Sequence, residues 1–202
     1  MRLPALLLIF AYVGLAAPPA QAETADILIQ AGHQGRPASC APHHVVACNL
    51  GTGAQGVTER DWTPLVADEA AAALRAAGYT VIRRPADYDE HDTVRAAIFL
   101  HFDGASPACG SGASAGFPTT TSRAFIEDWE TRYRAWFPYT FKGENITTNE
   151  SRYYGFRKVD APEKLLIEFG EMTCPQQFAW MAPRVHEFGP FLAKFLEAQV
   201  PR

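Results

Sequence analysis

Four residues offer chemistry in this sequence: His33, Glu59, His101 and Glu168. Two histidines and a carboxylate make a sound zinc ligand set. Imidazole nitrogen and carboxylate oxygen both suit the metal, and three protein ligands leave a fourth position for water. Zinc lowers the pKa of that water to about 7, so hydroxide becomes available at neutral pH. A second carboxylate, not bound to the metal, can take the proton and return it to a leaving nitrogen. His33, Glu59 and His101 are read as the ligands and Glu168 as the acid and base. Each residue alone also has a plainer reading. A histidine at a strand end is often a hydrogen-bonded structural group, an acid favours any helix N-terminus, and Glu168 equally reads as a salt-bridged surface carboxylate. No His-Glu-x-x-His segment is present, so the case rests on convergence rather than on one compact motif.

The elements that must bring these residues together can be read from the pattern. Asp26 to Gln30 is a short apolar run ending in Ala31-Gly32-His33, a buried strand followed by a tight turn. Thr58-Glu59-Arg60-Asp61 has the capping-box pattern that opens a helix. That helix continues through the alanine-rich stretch 67–77, and Gly78 is placed to end it. Tyr79 to Arg83 reads as the next strand, Ala96 to Leu100 as a strand delivering His101, and Lys164 to Ile167 as one delivering Glu168. This order predicts an α/β fold, a single domain with a mostly parallel twisted sheet flanked by helices. Ligands in such sheets bind outside the carboxyl ends of the strands. The zinc site is therefore expected at the C-terminal ends of the strands.

The remaining segments read as follows. Residues 34–57, rich in Gly, Pro, Ala and Cys, form a long loop, and 104–118 form another. Thr121 or Ser122 caps a helix over 125–136, whose Trp129, Tyr133 and Trp136 recur at helical spacing and favour core packing over a sugar-stacking platform. Residues 138–152 carry turn residues, Tyr153 to Phe156 resumes a strand-like pattern, and 176–199 is helical with breaks at Pro183 and Pro190.

Met1-Arg2, the apolar run Leu3 to Ala17 and the small residues of Ala20-Gln21-Ala22 make residues 1–22 a secretory signal peptide cleaved after Ala22. The competing membrane anchor would need a span of roughly 20 apolar residues. Residues 23–202 then form the catalytic domain, which should not span a membrane and should act in the periplasm or outside the cell. The chain carries 18 Lys and Arg against 22 Asp and Glu, a net charge of −4. It offers no basic stripe for nucleic acid. Cys40, Cys48, Cys109 and Cys174 form an even set, which in an exported chain argues for disulfides. Four cysteines allow three pairings, and the sequence leaves the choice open; the favoured one is Cys40–Cys48, close in sequence, with Cys109–Cys174, whose bridge would tie two loops at the rim of the site. A chain-entropy estimate for so long a loop is about 4 kcal/mol. No Cys-x-x-Cys spacing supports a zinc–thiolate site.

Four segments, in order, resemble the zinc-dependent N-acetylmuramoyl-L-alanine amidase family. Ile27 to His33 looks like its first metal motif, and Thr58 to Asp61 with the following helix and Val81 to Arg84 its second. Ile98 to Asp103 resembles the third, and Phe156 to Lys158 through Pro162 to Gly170 resembles the segment holding the catalytic glutamate. The sequence departs from the pattern at Gln34, where a glycine commonly follows the histidine, at Asp103 in place of an asparagine, and at Glu171 to Cys174. The resemblance implies hydrolysis of the amide between the lactyl group of N-acetylmuramic acid and L-alanine, in peptidoglycan or soluble muropeptides. A partner that opens the site is left open. Two rival readings remain: a zinc amidohydrolase or carboxypeptidase acting on a smaller N-acyl amino acid or peptide, and a catalytically silent wall-binding protein. Asp103 either orients a ligand histidine or satisfies turn backbone. Arg84 either binds a substrate carboxylate or forms a structural ion pair, and His43 and His44 either approach the site or stay solvated.

Overall fold

The computed structural model describes residues 22–37 and 48–201. Residues 1–21 of the expected signal peptide, Cys40 of the expected Cys40–Cys48 pairing, and His43 and His44 lie outside the described residues.

The strands of the central sheet alternate faces, and the two faces meet different neighbours. The sheet contains β1 (Ile27–Ala31), β4 (Val81–Arg84), β6 (Ala96–Asp103), β7 (Ala113–Gly116), β8 (Phe141–Glu144) and β10 (Glu163–Glu171), in the order β4-β1-β6-β10-β7-β8. All neighbouring pairs are parallel except β10 with β7. Two short pairs complete the strands: β2 (Gly53–Ala54) with β3 (Val57–Thr58), and β5 (Asp92–Thr93) with β9 (Val159–Asp160).

Side chains two apart share a face. Ile27, Ile29, Ile98, Leu100, Phe102, Leu165, Ile167 and Phe169 therefore join one core with the helices. These are α1 (Glu59–Ala76), α2 (Arg123–Trp136) and α5 (Val185–Gln199). On the opposite face Leu28, Ala97, Phe99 and Leu166 pack against Tyr153, Phe156 and Val159. Trp129 and Tyr133 are fully buried in the helical core, and the Tyr133 hydroxyl donates to the Phe169 carbonyl. Core packing thus accounts for the aromatic spacing of α2.

Several expectations need correction. Tyr153 to Phe156 is not a strand: Tyr154–Arg157 forms a 3-10 turn after the short helix α3 (Thr148–Ser151). Residues three apart eclipse in such a turn, and both Tyr153 and Phe156 set their rings 5.3 Å from that of Phe99. The expected loops at 104–118 and 138–152 contain β7 and β8, whose short sequences ASAG and FKGE lack a strand's apolar run. The C-terminal helix does break at Pro183, where a 3-10 turn (Ala182–Arg184) separates α4 (Pro175–Met181) from α5. It continues through Pro190. Pro190 and His186, whose carbonyl loses its helical partner, are both exposed.

The α1–α5 crossing sets a tight limit. A Cβ at Gly189 would lie 2.6 Å from Val66 O and 2.8 Å from Ala70 N, both backbone atoms of α1. Gly189→Val is expected to destabilise the fold by about 1–3 kcal/mol through overpacking. Denaturant titration checks this, and an unchanged midpoint would refute the close approach.

Candidate metal centre

The site is built from the end of β1, the start of α1 and the last half of β6. After Ala31 the Gly32 N–H still donates to Leu100 O at 3.0 Å, so the turn stays fastened to β6. A Cβ on Gly32 would sit 2.4 Å from His101 Cε1 and 2.5 Å from Leu100 O, which leaves room for glycine alone. His33 follows with φ of 60°, an uncommon conformation for a residue with a side chain. Glu59 opens α1 directly after Thr58, whose backbone N–H and hydroxyl donate to Asp61 Oδ2 at 2.8 and 2.9 Å. The start at Thr58 and the end at Gly78, with φ of 92°, follow the sequence reading.

His33, Glu59 and His101 converge. Their possible ligand atoms all lie within 4.8 Å of one another, and the three residues are 8%, 5% and 8% exposed. Glu59 Oε2 lies 3.1 Å from His101 Nδ1 and 3.5 Å from His33 Nε2. Glu59 also accepts from Thr52 N at 2.6 Å and Phe102 N at 3.1 Å. The His33 Nδ1 is 2.7 Å from Asn49 O. A carbonyl accepts and never donates, so Nδ1 carries the proton and Nε2 turns its lone pair toward Glu59.

Glu168 lies beside this cluster. It is the register partner of His101 on the adjacent parallel strand β10, so both side chains leave the same face of the sheet. Its Oε2 is buried with no hydrogen-bond partner among the described residues. All four residues line one cleft of about 500 Å³, together with Arg36, Asp103 and Tyr153.

Charge in the cleft is unevenly distributed. Burial, only partly opposed by Glu59, holds the His33 imidazole below its ordinary value and favours the neutral form. Burial pushes the Glu59 carboxyl up, but the hydrogen bond and charge of His101, then His33, leave it below the usual range. Glu168 moves the other way. Burial first, then the charges of Glu59, Asp103 and Glu150, lift its carboxyl well above the usual range.

The lesser candidates separate. Asp103 accepts from Gly104 N at 2.7 Å and from the Ser111 hydroxyl, so it serves turn backbone rather than a histidine. Arg84 is held by Asp92 at 2.8 Å, with Glu23 and Glu90 beside it, and does not line the cleft. Its structural ion pair displaces the substrate-carboxylate reading. Cys109 and Cys174 are joined, with S–S of 2.08 Å. Between them Glu171 accepts from Cys109 N and Ser111 N, each at 2.7 Å, tying the 104–112 loop to the end of β10. The sequence reading missed Arg36, Asn49 and the site role of Tyr153. Asn49 acts through its backbone carbonyl, which side-chain identity does not reveal, and Tyr153 was assigned to a strand.

No family model matches the chain, and no curated protein matches it in sequence. Solved structures are similar in fold. N-acetylmuramoyl-L-alanine amidase AmiC2 of Nostoc punctiforme superposes with a TM-score of 0.64 at 17% identity, covering 87% of this chain and 97% of its own. The catalytic domain of CwlV, an N-acetylmuramoyl-L-alanine amidase from Bacillus (Paenibacillus) polymyxa var. colistinus, gives 0.63 at 12%, covering 87% and 99%. The CwlD amidase from Clostridioides difficile, in complex with the GerS lipoprotein, gives 0.55 at 13%, covering 87% and 96%. At these identities the likeness is one of fold, and it is the fold of the family that the four sequence segments resemble.

The raised Glu168 carboxyl makes a stability prediction for the metal-free protein. Below about pH 4 the group is neutral in both folded and unfolded chains. As pH rises, the unfolded chain ionises first, so stability is lost until the folded-state value is passed. Glu168→Gln removes that loss. The metal-free variant is expected to melt higher than the parent at pH 7, with the gap closing below about pH 4. Equal melting temperatures at pH 7 would contradict the raised proton affinity of this buried acid.

Proposed function

We propose that this chain is an exported, zinc-dependent N-acetylmuramoyl-L-alanine amidase that cleaves the lactyl–L-alanine amide of peptidoglycan. The observation that carries the reading is the convergence of His33, Glu59 and His101 within 4.8 Å, with Glu168 in the same cleft, its Oε2 without a hydrogen-bond partner among the described residues. Two imidazoles and one carboxylate suit zinc and leave a fourth position open. The fold likeness to peptidoglycan amidases and the four ordered sequence segments favour the substrate. The signal peptide read in residues 1–22 would deliver the protein to the wall.

Zinc held by His33, Glu59 and His101 would supply a Lewis acid for the amide carbonyl and an acidified water. Glu168 is assigned the proton work: it accepts a proton from the attacking water and returns it to the departing amine of L-alanine. Its free Oε2 leaves an oxygen available for that exchange. The raised proton affinity of this carboxyl suits the second half of the cycle, when the proton must be held until the C–N bond breaks. Asn49 O holds the His33 ring through Nδ1, and Gly32 gives the His101 ring its space.

The experiment is mass spectrometry of purified cell wall incubated with the protein, before and after chelation and zinc repletion. Free stem peptides and peptide-free glycan are expected, lost on chelation and restored by zinc. Glu168→Gln should keep its zinc while losing about 10²–10⁴-fold in turnover. Gly32→Ala should lose zinc affinity, because its methyl group displaces the His101 ring; undiminished affinity would contradict the packing. A zinc-loaded protein that releases nothing from wall or soluble muropeptides, yet cleaves short N-acyl amino acids, would move the substrate to a smaller amide. Cleavage of neither would indicate a silent wall binder.

A further inference from the structure

Gln30, Tyr153 and His101 form a buried chain of hydrogen bonds whose proton directions follow from one backbone carbonyl. Gln30 Nε2 lies 2.8 Å from Ala86 O and 2.8 Å from the Tyr154 hydroxyl. A carbonyl oxygen only accepts, so the amide nitrogen of Gln30 must face it and Oε1 must point the other way. The Tyr154 hydroxyl spends its own proton on Ala86 O, which leaves it to accept the second N–H of Gln30. On the far side Gln30 Oε1 lies 2.7 Å from the Tyr153 hydroxyl. Oε1 has no proton to give, so Tyr153 donates. The Tyr153 oxygen then meets His101 Nε2, 3.1 Å away, as an acceptor.

The consequence falls on His101. Its Nε2 must carry a proton in either charge state, so Nδ1, 3.1 Å from Glu59 Oε2, donates to Glu59 when the ring is an imidazolium and holds the lone pair when the ring is neutral. We infer that Gln30 and Tyr153 are positioning residues that hold His101 as the Nε2–H tautomer, so that Nδ1 is the nitrogen offered to a metal. The inference rests on the reading of His101 as a ligand. Both residues are buried, Gln30 at 0% and Tyr153 at 4% exposure, so water has little access to reverse the chain. A lone pair facing a carboxylate at that distance repels it unless a proton or a metal ion lies between them, so a metal at Nδ1 takes the place of that proton. The two imidazoles thus present opposite nitrogens: His33 offers Nε2 because Asn49 O holds its Nδ1 directly, and His101 offers Nδ1 through two intervening side chains.

The test combines zinc affinity, measured by competition with a chelator, with ring-nitrogen NMR of the metal-free protein at pH 8. The parent is expected to show His101 protonated on Nε2. Tyr153→Phe removes the acceptor and should mix the tautomers, weakening zinc binding roughly 10–100-fold. Gln30→Met frees the Tyr153 proton to donate to Nε2, which should shift the ring to Nδ1–H and weaken zinc binding over a similar range. Because Gln30 acts through Tyr153, adding Gln30→Met to Tyr153→Phe should weaken zinc binding no further. A parent ring protonated on Nδ1, or additive losses in the double variant, would overturn the inference. Melting curves of the metal-free variants identify any that fail to fold, and in that event the parent spectrum alone decides the tautomer. An Nε2–H ring in a parent that binds no zinc would sink the metal assignment and leave the wiring standing.

Discussion

The cleft is organised around one buried charge. Glu59, at 5% exposure, has given up its water, and a carboxylate does so at high cost unless partners replace the lost hydration. The Thr52 and Phe102 backbone N–H groups supply two of those contacts at 2.6 and 3.1 Å. The His101 and His33 rings stand at 3.1 and 3.5 Å. These groups come from the hairpin approach to α1, from β6 and from the turn after β1. The position of Glu59 at the first turn of α1 adds the favourable end of the helix dipole. Stabilising this carboxylate therefore requires three chain segments to meet at one point, the same point at which a cation would be bound.

The hydrophobic core decides which side chains face that point. On β6, Ile98, Leu100 and Phe102 belong to the helical core, so Ala97, Phe99, His101 and Asp103 must take the other face. On β10 the same alternation places Leu165, Ile167 and Phe169 inward and Glu168 beside His101. A register slip of one residue would drive both polar groups into the helices. Packing against α1, α2 and α5 thus orients the polar face of the sheet, although those helices contribute only Glu59 to the cleft.

Two glutamates three residues apart on β10 show how local surroundings assign roles. Glu171 is fully buried and holds Cys109 N, Ser111 N and the Thr173 hydroxyl at 2.6–2.7 Å, binding the rim loop to the strand. Glu168 lines the cleft with an oxygen that has no partner among the described residues. The register shift between them, with Gly170 at φ of 156°, separates the end of the strand that holds the rim loop from the part that lines the cleft. The Cys109–Cys174 bridge closes the same rim.

Strong, long periodic signals were legible in the sequence. The apolar runs of β1, β6 and β10, the capping box before α1 and Gly78 after it identified a parallel α/β sheet. The same runs brought His33, Glu59, His101 and Glu168 to one edge. Weak signals were not legible: β7 and β8 have only four residues each and no apolar run, so their pairing depends on neighbours distant in sequence. The 3-10 turn at Tyr153 mimicked strand alternation, since a three-residue repeat of aromatics is ambiguous over so short a segment. Local chemistry determined which residues were available. The tertiary structure decided the rest: Asp103 bonded to the loop that follows β6, Arg84 in an ion pair, and a tyrosine and a glutamine wired to His101. For the two histidines the physical reason is that hydrogen-bond direction depends on which acceptor lies within 3 Å, and the deciding acceptors, Asn49 O and Ala86 O, are backbone carbonyls, which every residue carries and no sequence distinguishes.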